Sequence, residues 1–164
     1  MKHTLFIILL TLGILSVATT ANAQIRVLND LRKSPGVSYV YISKFMLQMV
    51  AGTSQTIDLG KMAPSGKADF SKLMSKIDGI QIINTEKERA IANVKAVVNN
   101  LVSKEKYEIM MASTENQENS TIYYKPAPPQ SVILLLTEED AKTLGVVAIS
   151  GTFTEQDIKE NLLK

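Results

Sequence analysis

The 164-residue sequence has no cysteine and no tryptophan, and its one histidine is the third residue. Without a thiol there can be no disulfide staple, no thiolate nucleophile, no thiol redox couple and no zinc site built on sulfur. His3 falls in a segment expected to be removed, so the working chain is also without imidazole, which excludes Ser-His-Asp catalysis. Carboxylate, hydroxyl and lysine chemistry remain. Aromatics make up only 5% of the chain, and no run of lysines or arginines is interleaved with them, so no nucleic-acid surface is expected.

The N-terminus has the grammar of a secretory signal. Lys2 and His3 form a short basic start, and residues 5–17 are apolar except for Thr11, Gly13 and Ser16. Ala21-Asn22-Ala23 then offers a small-x-small cleavage site before Gln24. The apolar run is too short to span a bilayer comfortably. Residues 1–23 are therefore read as a signal peptide and 24–164 as one domain, exported to the periplasm or secreted. No stable membrane anchor is expected after cleavage between Ala23 and Gln24. Charge is unevenly spread along that domain: residues 24–107 carry 13 basic and 7 acidic side chains, residues 108–164 only 4 basic and 9 acidic. Position along a chain does not fix position in space, so this asymmetry does not define a surface.

Hydrophobic spacing gives the order α, β, α, α, β, α, β, β, β, β, α. Residues 25–33 read as a short helix ended by Ser34-Pro35-Gly36, and the β-branched and aromatic run 37–42 as a strand. Ser43 is placed to cap a helix in which Phe45, Met46, Met49 and Val50 share one face, expected to be core, with Gly52 at its end. Residues 53–67, with Pro64, Ser65 and Gly66, read as a loop. Phe70, Leu73, Met74 and Ile77 fall at helical spacing, Gly79 closes that helix, and 80–84 is a strand. Thr85 and Glu88 have capping-box spacing ahead of a long helix that buries Ala90, Ile91, Val94, Val97, Val98 and Leu101. From Tyr107 a β-meander is expected. It contains a polar turn at 116–119 and a stiff Pro-rich link at 126–129 that should keep neighbouring strands from pairing through it. Thr137 to Lys142 reads as one capped helical turn, and Thr154 with Asp157 as the cap of a final helix. The runs 132–136 and 146–150 are apolar on both faces, which suits central strands. The expected fold class is α+β: a two-layer, mostly antiparallel sheet packed with helices, its C-terminal meander followed by a helix.

Candidate sites are few. Tyr39 and Tyr41 share a strand face, and Tyr123 and Tyr124 stand on a later strand; hydroxyl-tipped rings suit a core edge or an interface, and these four are the candidate binding residues if they face a partner. Glu138, Glu139 and Asp140, with Glu115 and Glu118 across a hairpin, are the only carboxylate group worth testing for hydrolysis or a cation. They lack the alternating acidic spacing around a glycine that a calcium loop needs. Glu86 and Glu88 do not face each other on a helix. Ser103 and Lys106 have S-x-x-K spacing without the companion motifs, and Asn119-Ser120-Thr121 is a sequon. No catalytic residue, metal ligand or cofactor is therefore assigned. The two-faced apolar strands need cover on both sides, either from the chain's own helices and loops or, through a sheet face, from a protein partner or a second copy.

Four segments, VSYVYISKFML (37–47), KIDGIQIINTE (76–86), YEIMMASTENQENSTIYYK (107–125) and VILLLTEEDAKTLGVVAISGTF (132–153), resemble the successive blocks of the domain-of-unknown-function family 4252. The resemblance covers nearly the whole mature chain. It implies a small exported bacterial protein and brings no catalytic residues with it. Many members begin with a lipobox cysteine, which this chain lacks, so the resemblance implies here a form without a lipid tether. It also implies a link, by genomic context, to extracytoplasmic sigma-factor signalling.

Overall fold

The computed structural model describes residues 26–51 and 71–161. A helical segment at 26–30 tightens into a 3-10 turn, Leu31–Lys33, and is followed by β1 (Val37–Ser43), α1 (Lys44–Ala51), α2 (Ser71–Met74), β2 (Ile77–Thr85) and α3 (Glu88–Lys104). The meander β3 (Glu108–Glu115), β4 (Glu118–Lys125), β5 (Ser131–Glu139) and β6 (Thr143–Gly151) then leads to α4 (Glu155–Asn161). The element order matches the one expected from spacing, and the class is α+β.

All six strands form one antiparallel sheet in the order β1-β2-β6-β5-β4-β3. The doubly apolar β5 and β6 lie in its middle, where both faces can be covered. One face carries α3 and the N-terminal helical segment: Ile91, Val94, Val98 and Leu101 meet Leu28, Ile83, Leu134, Leu144 and Val146. The other face is covered in part by the three short helices, through Leu47, Leu73, Met74 and Ile158 against Ile80, Ile133, Val147 and Ile149. Gly151 marks the tightest approach on that side, since a Cβ there would lie 2.1 Å from the Lys76 carbonyl oxygen.

Several expectations change in the folded chain. The Thr85/Glu88 capping box does not form. The Thr85 hydroxyl donates to the Gly36 carbonyl at 2.8 Å, and the residue preceding α3 is Lys87, which makes no side-chain cap. The Thr85 oxygen accepts instead from Lys87 N–H at 3.3 Å, one residue short of the Glu88 N–H that the box would use. Residues 137–142 are not a helical turn: Thr137 to Glu139 continue β5, and Asp140 and Ala141 have φ of 51° and 55°. With Lys142 N–H donating to the Glu139 carbonyl at 2.9 Å, they make a type I′ hairpin turn. Asn116 and Gln117 (φ 48° and 70°) turn the β3–β4 hairpin in the same way. The Pro-rich link does not separate its neighbours, because β4 and β5 pair along their whole lengths around it. Gly79 does not close a helix but lies inside β2, under the Tyr41 ring. The Thr154/Asp157 box forms as expected: Thr154 N–H donates to Asp157 Oδ2 at 2.8 Å, and Asp157 N–H donates to Thr154 Oγ1 at 3.3 Å. The 53–67 loop, Phe70, Gly52 and the side chain of Val50 lie outside the described residues.

Candidate functional site

The clearest departure from the expected core is α1. Ser43 does cap it, accepting from Met46 N–H at 3.4 Å, but its buried anchor is Leu47. Phe45 is 67% exposed, and Met46 and Met49 are exposed beside it. Residues 45–49 carry only Gln48 as a polar residue, so spacing alone could not tell which side of the helix faces inward. The signal available was the missing polar stripe, which is the mark of a helix whose outer side is not built for water.

The helix lies alongside a sheet edge. Along its outer side β1 pairs with no strand among the described residues. Val40 (48% exposed) and Tyr41 also stand open. Of the seven exposed large hydrophobic side chains among the described residues, five (Val40, Tyr41, Phe45, Met46 and Met49) fall within ten consecutive residues of β1 and α1. Scattered exposed apolar residues need no explanation, but a set gathered along one strand edge does, with Val40 on the α1 side of the sheet and Tyr41 on the other. Val40 also begins an apolar row that crosses the whole sheet by register, through Ile82, Val147, Leu135 and Ile122 to Met111.

The four tyrosines do not converge. Tyr39 and Tyr41 stand on one face of β1, where Gln81 Nε2 donates to the Tyr39 hydroxyl at 2.8 Å. β4 lies four positions away in the sheet. Its Tyr123 packs on the α3 side, while Tyr124 is buried on the opposite face with its hydroxyl donating to Ser131 Oγ at 3.4 Å. Tyr39 and Tyr41 therefore lie at the β1 edge on the α3 side of the sheet, opposite α1, and Tyr123 and Tyr124 belong to the packing of the sheet.

The carboxylates are brought to one end of the sheet. Glu115 pairs with Glu118, and Glu118 with Glu139, in a single row across three strands, while the adjoining tips touch where Asp140 N–H donates to the Gln117 carbonyl at 3.2 Å. Glu138 turns instead to an ion pair with Lys95 on α3. Glu115, Glu139 and Asp140 are exposed, and no group of three or more His, Cys, Asp or Glu side chains among the described residues has a metal-holding arrangement. The tip has no walls to exclude water or orient a substrate, both of which acid–base work requires. Ser103 and Lys106 sit at the exposed end of α3, and Asn119 accepts from the Thr114 hydroxyl at 2.8 Å.

Two titrations are displaced, both for structural reasons. Tyr107 is held above its ordinary value, first by burial and then by the Glu105 carboxylate. Asp157 is drawn from 3.8 to about 2 by its hydrogen bond from Lys76, at 2.6 Å, and by those from Thr154. Neither faces a cavity that could take a substrate. Among the described residues, no helix is long and apolar enough to cross a membrane.

Fold and surface together define an α+β domain with α3 on one face of its sheet, three short helices on the other and, among the described residues, one unpaired apolar edge. The chain belongs to the family described as Domain of unknown function (DUF4252), whose model matches residues 31–161 and so spans every element from the 3-10 turn to α4. No curated protein and no solved structure matches the chain significantly.

Proposed function

We propose that this chain is an exported protein of the cell envelope whose domain is a non-catalytic interaction module working through β1 and α1. The observation that carries this reading is the concentration of exposed apolar side chains, Val40, Tyr41, Phe45, Met46 and Met49, along an unpaired strand edge. Burying such a patch is favourable at about 25 cal/mol per Å², and a strand edge adds directional hydrogen bonds. The signal-like residues 1–23 support export. The test is photocrosslinking in the native host with p-benzoylphenylalanine placed at Phe45 and, as a control, at Ile109 on β3. The reading expects a discrete adduct of defined composition, identified by mass spectrometry, from position 45 and none from 109. Adducts absent at both positions, or equal at both, contradict it.

A further inference from the structure

The two edges of the sheet are built differently. β3 ends in Glu108 and Glu115, and its pairing is broken by a bulge between Ile109 and Met111. Charge and bulge are the usual means by which a strand edge is closed to further pairing. β1 has neither. Its seven residues pair with β2 without a break, and it contains no charge and no proline.

We propose that the partner of this edge is a second copy of the same chain, paired antiparallel β1 to β1 about a two-fold axis through Val40, so that two six-stranded sheets join into one of twelve. This deepens the interaction-module reading and rests on it. Charge selects the occupant. Between Val37 and Ala51 the only ionic side chain is Lys44, and its Nζ is already held 2.8 Å from Asp78 Oδ1. A neutral surface is complementary to itself, whereas a partner recognised by charge would find nothing to pair with.

The sequence fits the symmetry. Tyr39-Val40-Tyr41 reads the same in both directions, so centring on Val40 sets each Tyr39 opposite the other copy's Tyr41 and Val40 opposite Val40. Aromatic and β-branched cross-strand pairs are the favourable ones. Outside them Ser38 meets Ile42, and Val37 meets Ser43, a small residue against a larger one each time. Phe45, Met46 and Met49 then flank the seam on both sides, adding apolar burial that a strand pair alone would lack.

The absence of cysteine makes the test clean, because each single-cysteine variant carries one thiol at a known place. The purified 24–164 chain with Val40→Cys is treated with a thiol-to-thiol crosslinker reaching about 5–8 Å, the span of directly opposed residues and their near neighbours. Ile109→Cys serves as the control on the other edge. The expected result is a covalent dimer from position 40 in at least tenfold excess over position 109, and a sedimenting dimer that Val40→Lys weakens at least tenfold. Phe45→Glu, at a position that is exposed in the monomer, should weaken it in the same sense should Val40→Lys disturb folding. A chain monomeric at all concentrations, or crosslinked equally at 40 and 109, overturns the proposal. If that monomer is nevertheless trapped in cells through position 45 on a different protein, the interaction module stands and only the second copy is wrong; no adduct at all removes both.

Discussion

At the level of single residues, short polar motifs were legible only where no distant group competed for them. Thr154 and Asp157 are three apart and form their box, because Lys76 reinforces the same carboxylate instead of drawing it away. Thr85 has the same kind of spacing to Glu88, but a bond to the Gly36 carbonyl, far off in sequence, fixes its hydroxyl where it accepts from Lys87 N–H rather than Glu88 N–H. The Asp157 contacts carry a pH signature. A carboxyl lowered from 3.8 to about 2 binds its proton less readily folded than unfolded, so its stabilisation is complete above about pH 4 and is lost as pH falls toward 2. Asp157→Ala is expected to lower the urea midpoint at pH 7 by the equivalent of about 1 kcal/mol, the usual worth of a lost helix cap. The gap between variant and wild type should close between pH 4 and pH 2. A gap that stays constant down to pH 2 would mean that the carboxylate's charge plays no part. The tyrosines show a different limit: alternation correctly put Tyr39 and Tyr41 on one face, but nothing in the sequence told which strand would be an edge.

At the level of elements, long periodic segments were the readable ones. The buried stripe of α3 came out as Ala90, Ile91, Val94, Val98 and Leu101, with Val97 half-buried at its margin. The apolar runs at 132–136 and 146–150 became the central strands β5 and β6. Short segments were harder. Residues 137–142 have good helix-start chemistry, yet cross-strand pairing with β6 extends β5 to Glu139 and leaves Asp140 and Ala141 to turn the hairpin. That turn needs positive φ at both central residues, where alanine is strained and glycine is not. Ala141→Gly should therefore stabilise the protein by about 0.5–1 kcal/mol, read as a higher thermal midpoint. A lowered midpoint would contradict the turn assignment. For α1, the even distribution of apolar residues hid its inner side, and among its described side chains Leu47 proved to be the anchor. The exposed Phe45, Met46 and Met49 are the outcome that helical spacing was least able to anticipate.

At the level of the molecule, the basic first half and acidic second half interleave. β6 from the second half lies beside β2 from the first, and ion pairs join the halves at Lys76–Asp157, Lys95–Glu138 and Lys125–Glu105. The chemical poverty visible at the start, a chain with no thiol and one histidine at position 3, finds its counterpart in a fold that, among the described residues, gathers carboxylates at an open hairpin tip. The distinctive feature is the asymmetry of the two sheet edges, one bulged and flanked by glutamates, the other straight, neutral and bordered by exposed methionines and phenylalanine. The most direct measurement of what that asymmetry does is amide hydrogen exchange of the purified 24–164 chain at a series of protein concentrations. Pairing through β1 predicts protection that rises with concentration within residues 37–43 while residues 108–115 stay unchanged. Exchange in 37–43 that is independent of concentration, or protection that grows on β3 instead, would contradict it.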